Sequence, residues 1–517
     1  MTQHKNAQAL TTGQADASHR GVYEIALRAA SEPGNPFFDV DLQIVFSRPD
    51  GSAVTVDGFY DGGNLFRARA YCDTVGAWHW RSVSSIPELN GKTGRFEVMP
   101  SPLKGKLRKH PHDPRQFAYD NGEWFLHIGD TGYRYVVDTE PEWQAYIDQA
   151  AQAGFTKIRT WFCQGRGDVQ ILFAGDRTAL NLPYWQEIDR RLIYALERHP
   201  HVIFKLIPYG EDTEEIVRYA SGDPAPKLIA RYAQARFSAL PNVIWCITND
   251  REIVTHSDLK GRQVHRDTIC RMGQDMAARE PWGTLLTNHQ CRFKGYSFVD
   301  EPWSDIITLE DLDQVGGEII LDYREKGSDP VVNDEDRYET YRNPQHNRYF
   351  NRRLMWASLL SGGHATYGGL RTFEPYDGGL KGVQGYYDAV RGGKLDRGAD
   401  DFIHIHRFFA DSGLTLVGMT PDDALVGSDP RRWKCIHNEN IHILYLANPS
   451  GDTPETDDAS DAVPDVTILL PEGKGSVAWF NPSSGAWQQG DECNGGRQVF
   501  TAPGNGDWIL LIRRLVA

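Results

Sequence analysis

From Val22 to about Pro102 the chain alternates apolar and polar positions in short runs: VYEIALRA, FDVDLQIVFS, AVTVDGFYDGG, LFRARAYC, AWHWRSV and GRFEVM. Gly, Pro, Asn and Asp punctuate them. A period of two between turn residues predicts antiparallel strands that bury every second side chain, and about 80 residues of it predict a β-sandwich. Trp78 and Trp80 flank His79, so both indoles lie on one face of a strand, as core residues or, alternatively, as a sugar-stacking surface. From about His110 to Gly413 the texture changes. Eight strand-like runs (EWFLHIGD, FTKIRTWFC, HVIFKLIPYG, NVIWCITND, GTLLTNHQ, SDIITLED, DPVVNDED and GGHATYGG) alternate with helical stretches such as PEWQAYIDQAAQAG and YWQEIDRRLIYALERH. Eight strands, each followed by a helix or a long loop, predict an α/β fold, the (β/α)8 TIM barrel. An open doubly wound sheet is the rival, but IGDTGYRY after the first strand is not a glycine-rich phosphate turn. From about Leu414 to Ala517 alternation returns in WKCIHNENIHILYLANPS, VTILLP, GSVAWFNPSSG and DWILLIRR, predicting a second, smaller β-sandwich. The expected organisation is a flexible tail at 1–20, an N-terminal β-sandwich at 21–106, the barrel at 107–413 and a C-terminal β-sandwich at 414–517.

Composition narrows the function classes. Hydrophobic residues make up 40% of the 517, with 14 Trp, 22 Tyr and 22 Phe, which supplies several cores and excludes a mainly disordered chain. A net charge of −15 argues against nucleic acid or an anionic membrane as partner, since both require a positive field. The seven cysteines form no CxxC pair, which argues against a disulfide framework or a cysteine-rich zinc site. The first 20 residues are polar, without an apolar leader, so a cytoplasmic location is expected, although a trimmed secreted chain would look the same. The acidic insert DTPETDDASDAVPD reads as a solvated loop. Oligomeric state is open, and a homo-oligomer is compatible with the sequence.

In such barrels functional residues gather at the carboxyl ends of the strands. The strand ends offer Asp130 and Thr131, Arg159 and Trp161, Tyr209, Asn249 and Asp250, Asn288 and His289, Glu310 and Asp311, Asn333 and Glu335, and His364 and Tyr367. Every strand contributes a polar or aromatic group. Asp250 ends strand 4 and Glu335 ends strand 7, which places two carboxyl groups on opposite sides of one barrel mouth. Glycoside hydrolysis needs such a pair, one acid to protonate the leaving oxygen and one carboxylate to attack the anomeric carbon or activate water. Asn249 could donate to a sugar 2-hydroxyl, and Tyr338 or His289 could donate to Glu335. The bland alternative for Asp250 is an ion pair with Arg251. Trp161, Trp185, Tyr209, Tyr338 and Tyr367 could stack on sugar faces or pack in the core, while Trp124, Trp245 and Trp356 sit inside apolar runs and are assigned to packing. His289, Glu310, Asp311, Glu335 and His364 are candidate metal ligands, but no HExxH or tight His-x-His pair at a strand end supports them, so no metal and no cofactor is expected.

Taken in order, these pieces resemble the apiosidase-like glycoside hydrolases. GFYDGGNLFRARAYCDTVGAWHWR is similar to the amino-terminal sandwich that precedes such barrels, and FLHIGDTGYR to their first strand, which would put Asp130 in the pocket. PNVIWCITNDRE resembles their strand-4 motif with an Asp acid/base, and DPVVNDEDRYE their strand-7 motif with a Glu nucleophile. AWFNPSSGAW followed by GDWILLI resembles the closing strands of a carboxyl-terminal sandwich once labelled collagen-binding. The family usually has Gly-Gly-Asp where this chain has Thr248-Asn249-Asp250, and Asp334 adds a carboxylate beside Glu335. The resemblance implies a retaining TIM-barrel glycosidase acting on a plant or bacterial oligo- or polysaccharide. Catalysis would fall to Asp250 and Glu335, and substrate contacts to Asp130, Arg159, Trp161, Tyr209, Asn249, His289, Glu310, Tyr338, His364 and Tyr367. Exo action is expected, because the loops 162–185 and 368–400 could close a pocket. The pKa of Asp250 should then be raised by burial and by Glu335. The competing readings are a carbohydrate-binding protein on a degenerate barrel and a metal-dependent hydrolase or lyase.

Overall fold

The computed structural model describes residues 8–163, 168–338, 348–368, 397–427, 433–451 and 459–515. At its centre is a parallel barrel of eight strands: β1 (Ile128–Thr131), β2 (Lys157–Trp161), β3 (Ile203–Ile207), β4 (Val243–Cys246), β5 (Leu286–Thr287), β6 (Ile307–Glu310), β7 (Val331–Glu335) and β8 (His364–Tyr367). Hydrogen-bonded neighbours run β5-β4-β3-β2-β1-β8-β7-β6. Between β5 and β6 there is no ladder, but Asp305 N donates to Leu286 O at 2.8 Å and Thr287 Oγ1 to Ile306 O at 2.6 Å, so the barrel is nearly closed. Each expected strand run contains one barrel strand. In EWFLHIGD only the end does; Trp124–Phe125 instead pairs with Asp113–Tyr119 in a separate small sheet.

Around the barrel lie α1 (Glu142–Gln152), α2 (Leu182–Arg198), α3 (Thr213–Ala220), α4 (Pro224–Phe237), α5 (Arg266–Arg279), α6 (Glu318–Lys326), α7 (Arg348–Leu360) and α8 (Phe402–Ser412). Local sequence explains where they start. Asp212 accepts from Glu215 N at 3.0 Å to cap α3, and Asp223 accepts from Ala225 N at 2.9 Å ahead of Pro224, a residue suited to the first turn of α4.

The small sheet closes the amino-terminal end of the barrel, where Leu107, Phe117, Tyr119 and Phe125 pack on Ile203, Ile244, Leu285, Ile306 and Val332. Above this apolar floor the interior is charged. Asp334 of β7 is buried between Lys157 of β2, with which it pairs directly, and Lys205 of β3, at 2.7 Å. Thr366 of β8 donates to Asp334 at 2.6 Å, and Lys205 to Thr308 of β6 at 3.2 Å. One layer therefore ties five strands together. Burial pulls Lys157 down to about 7, whereas Asp334 is held well below the carboxylate range because its three cationic neighbours outweigh burial.

The flanking domains are β-sandwiches. The N-terminal one packs a four-stranded sheet on a five-stranded one, and the C-terminal one a six-stranded sheet on a two-stranded one. Leu10–Thr12 and Asp16–Ser18 are strands, one in each N-terminal sheet, so the expected tail at 1–20 is structured from Leu10. Trp78 is fully buried, as a core residue, and Trp80 lies over Gly94, where a Cβ would sit 2.5 Å from the indole. Buried guanidiniums join the domains. Arg69 grips Asp189 of α2 with two bonds of 2.7 Å, and Arg352 of α7 grips Asp507 with bonds of 2.9 and 2.6 Å. Trp245 and Trp356 are buried and Trp124 packs against Phe409, as expected.

Asp334→Ala leaves two buried ammonium groups without their counter-ion. It should lower the stability of the barrel by about 3–5 kcal/mol, read as a fall in the urea or thermal unfolding midpoint.

Candidate active site

The carboxyl ends of β2, β4, β5, β6 and β7 bring their side chains into one buried cluster. Glu335 is the last residue of β7. A register shift between Leu309 and Glu310 sets Glu310, the last residue of β6, directly beside it. Such bulges re-aim a side chain at a strand end. Asp250, in the loop after β4, has φ +48°, a left-handed conformation that Asp tolerates better than most residues. One ligand atom each of Asp250, His289, Glu310 and Glu335 lies within 4.8 Å of the others. The two carboxyl groups expected to face each other across the mouth do so.

Arg159, with no exposed surface, connects these groups. Its Nη2 donates to Glu335 Oε2 at 2.6 Å and to Thr131 Oγ1 at 3.2 Å. Its Nη1 lies 2.8 Å from His289 Nε2. A guanidinium is always charged and only donates, so His289 Nε2 must accept and the ring proton sits on Nδ1. Nδ1 faces Asp250 Oδ1 at 3.2 Å. Burial, and then the Arg159 charge, lower the His289 pKa, in keeping with a neutral ring. The guanidinium also stands over the Tyr133 ring at 4.8 Å, and Tyr133 stacks on Trp161 with centroids 3.9 Å apart. Glu335 Oε1 accepts from Tyr338 at 3.0 Å, and Oε2 from Tyr133 at 3.2 Å. The Asn249 amide donates to Asp250 Oδ1 at 2.9 Å and to Tyr133 at 3.0 Å.

The electrostatics overturn one expectation. Burial alone would raise Asp250, but the hydrogen bond from His289 and the charge of Arg159 win, and its carboxyl is held below the usual range. The raised group is Glu310, pushed well above the ordinary range by burial and then by Asp250 and Glu335, with Arg292 at 2.7 Å offsetting only part. Glu211, beyond β3, is also raised, to about 8, by burial and then by Asp250. Arg251 does not pair with Asp250. Its Nη2 reaches Glu211 at 3.5 Å and its Nε donates to Asn249 O at 3.0 Å. The extra carboxylate of Asp334 belongs to the lysine layer below. Arg159 and Arg292 already donate to Glu335 and Glu310, which distinguishes this cluster from an uncompensated acidic cage for a cation.

Of the residues expected at the site, Asp250, Glu335, Arg159, Trp161, Asn249, His289, Glu310 and Tyr338 come together. Four do not. Asp130 accepts from Tyr146 of α1 at 2.5 Å, on the helix side of β1. Tyr209 donates to Pro226 O of α4 at 2.6 Å, and Tyr367 packs between Phe155 and Phe402. His364 is the first residue of β8, at the opposite end, and packs on Phe117 and His127. Trp185 is buried in α2, donating to Leu172 O at 3.1 Å. Sequence reading missed Tyr133, Glu211, Arg262 and Arg292. Tyr133, Glu211 and Arg292 lie in loops just beyond a barrel strand end, whereas Arg262 lies far along the β4–α5 connection; the only signal for Tyr133 was its place in IGDTGY, two positions after β1. Most of the loop 368–400, and residues 164–167 of the loop 162–185, lie outside the described residues.

The Arg159 contact predicts an Nδ1–H tautomer for His289. Imidazole 15N NMR should show it at neutral pH in the intact protein and lose it in Arg159→Met; an Nε2–H signal in the intact protein would contradict the assigned geometry.

Residues 111–412 match the family described as "Apiosidase-like, catalytic domain", and residues 19–85 match a domain of unknown function (DUF5060). No curated protein matches in sequence. Among solved structures, the chain is similar to a Bacteroides vulgatus protein provisionally described as a glycoside hydrolase. The identity is 17% and the TM-score 0.74, over 97% of this chain and 100% of that one. A glycoside hydrolase family 5 structure from Bacteroides vulgatus shares 15% identity with a TM-score of 0.61, over 80% of this chain and 93% of that one. Both likenesses concern the fold. None of the described helices is long and apolar enough to cross a membrane. With more than half of its length matched by one catalytic-domain profile, and with that profile's span coinciding with the barrel and its cluster, the chain belongs to the apiosidase-like catalytic-domain family.

Proposed function

We propose that this protein is a retaining glycoside hydrolase in which Glu335 is the nucleophile and Asp250 the acid/base. The observation that carries the reading is the placement of their carboxyl groups. They come from β7 and from the loop after β4, and an oxygen of each lies within 4.8 Å of the other. Oxygens no farther apart than this are compatible with the ~5–5.5 Å of retaining pairs and leave less room than the ~6.5–9.5 Å that an inverting water requires. The family assignment and the glycoside hydrolase descriptions of similar structures agree with it.

In the first step Glu335 attacks the anomeric carbon. Arg159, Tyr133 and Tyr338 hold its carboxylate in place by three hydrogen bonds, which fixes the angle of approach. A proton delivered through Asp250 goes to the departing oxygen. In the second step Asp250, ionised, takes a proton from water as that water attacks the glycosyl ester and frees Glu335. Asn249 spends both of its observed bonds on Asp250 and Tyr133, so a contact with a sugar 2-hydroxyl requires an exchange of partner. The buried Tyr133–Trp161 stack walls one side of the cluster. The substrate we favour is a plant or bacterial oligo- or polysaccharide, cleaved from one end.

A panel of aryl glycosides and plant and bacterial oligosaccharides, with NMR of the first-formed anomer, identifies the sugar and should show retention; an inverted product would end the nucleophile assignment. Glu335→Ala should lose about 10³-fold or more of turnover and regain part of it with azide. Asp250→Ala should penalise poor leaving groups at least about tenfold more than activated aryl glycosides, and equal losses on both would count against Asp250 as the acid.

A further inference from the structure

The first step requires a proton that Asp250 can pass on, yet the groups around Asp250 donate to it. His289 Nδ1 and the Asn249 amide face Oδ1, and Arg262 lies 3.6 Å from Oδ2. Glu310 is surrounded in the opposite sense. Its Oε1 accepts from Arg292, but its buried Oε2 meets no N–H or O–H donor among the described residues. The groups that face Glu310 are Asp250 from the β4 loop, His289 from the end of β5, Arg292 and Arg262 from the adjoining loops, and Glu335 from β7. An oxygen of Asp250 and one of Glu310 lie within 4.8 Å of each other, with a Glu335 oxygen equally near. Buried carboxyl groups crowded this closely are not all ionised, so one of them holds a proton, and the oxygen that no donor reaches belongs to Glu310.

We propose that Asp250 and Glu310 form a single proton-sharing pair, in which Glu310 keeps the proton that Asp250 hands to the leaving oxygen. This rests on the retaining reading above, and Glu310 acts through Asp250 rather than on the sugar. As the glycosidic C–O bond breaks and the bond from the anomeric carbon to the Glu335 oxygen forms, the pair's single proton moves from Glu310 onto Asp250 and from Asp250 to the leaving oxygen, so both Asp250 and Glu310 are left ionised. In the second step the attacking water gives its proton to Asp250 and its hydroxyl to the anomeric carbon. The bond to Glu335 breaks, and the proton returns to the pair. No external donor is consumed. The environments support this division. His289 and Arg159 favour the charged form of Asp250, whereas burial and two neighbouring carboxylates favour the neutral form of Glu310. The two groups then titrate as a unit, and its apparent pKa sets the alkaline limb of the pH profile.

The test compares intact protein, Glu310→Gln and Glu310→Asp on one poor and one activated leaving group of the same sugar. In Glu310→Gln the proton must reside on Asp250 alone, so the alkaline limb of kcat/KM should move at least about one pH unit toward acid. The poor leaving group should lose at least about tenfold more than the activated one. Glu310→Asp should restore part of both. Infrared difference spectra at neutral pH should show the carbonyl stretch of a protonated carboxylic acid in intact protein and not in Glu310→Gln. Unmoved limbs and an unchanged infrared band would overturn the shared proton, as would activity that a chelator abolishes and a divalent metal restores. If Glu335→Ala shows no azide rescue, the nucleophile assignment fails instead; if it does and the Glu310 variants match intact protein, only the proton sharing falls.

Discussion

The buried Arg159 guanidinium is the interaction on which the upper half of the barrel depends. Taking a cation out of water costs several kcal/mol unless charged and aromatic partners surround it. Here one guanidinium meets Glu335, His289, Thr131 and the face of Tyr133. Because it can only donate, it decides which nitrogen of His289 carries the proton, and through that ring it reaches Asp250. The two carboxyl groups on opposite strands are thus oriented from one centre. Lysine on this strand position would offer neither the planar fork nor the stacking face.

Beneath it, the Lys157–Asp334–Lys205 layer gives the barrel interior a second charged tier in place of the apolar filling common in such barrels. Asp334 and Glu335 are neighbours on β7 but serve different tiers. One satisfies the lysines and the other faces the mouth. A shift in the position of β7 would disturb both at once. The register shift at Leu309–Glu310 has a related effect on β6, since it brings a third carboxyl group against Glu335 where a regular ladder would offset it. The consequence is a cluster with more acid groups than can all be ionised together, which is the condition for one of them to hold a proton.

The flanking sandwiches brace the helical shell rather than enter the cluster. Arg69 from the N-terminal domain locks onto α2, and Arg236 of α4 bridges Asp189 and Asp61 across the same seam. On the other side Arg352 of α7 ties Asp401 to Asp507 of the C-terminal domain. Each seam is built on arginine forks between carboxylates, a geometry that fixes orientation as well as contact.

Much of this was legible in the residues alone. Strand periodicity located all eight barrel strands and both sandwiches, because burial on one or two faces writes itself into local alternation. The rule that polar residues at strand ends face the mouth found Asp250, Glu335, Arg159, Asn249, His289 and Glu310. It failed for Asp130, Tyr209 and Tyr367, which turn toward the helices, because successive side chains on a strand alternate between barrel and shell and a terminal position does not say which it takes. It failed for His364 because the run GGHATYGG does not reveal at which end its strand begins. Tyr133, Arg262 and Arg292 were out of reach, since loop residues have no period. The sequence determined which chemical groups exist and which strands carry them. Only the tertiary structure decided the protonation pattern, lowering Asp250 and raising Glu310 against the local expectation, because that balance depends on fields from residues up to 176 positions apart that meet only in the closed barrel.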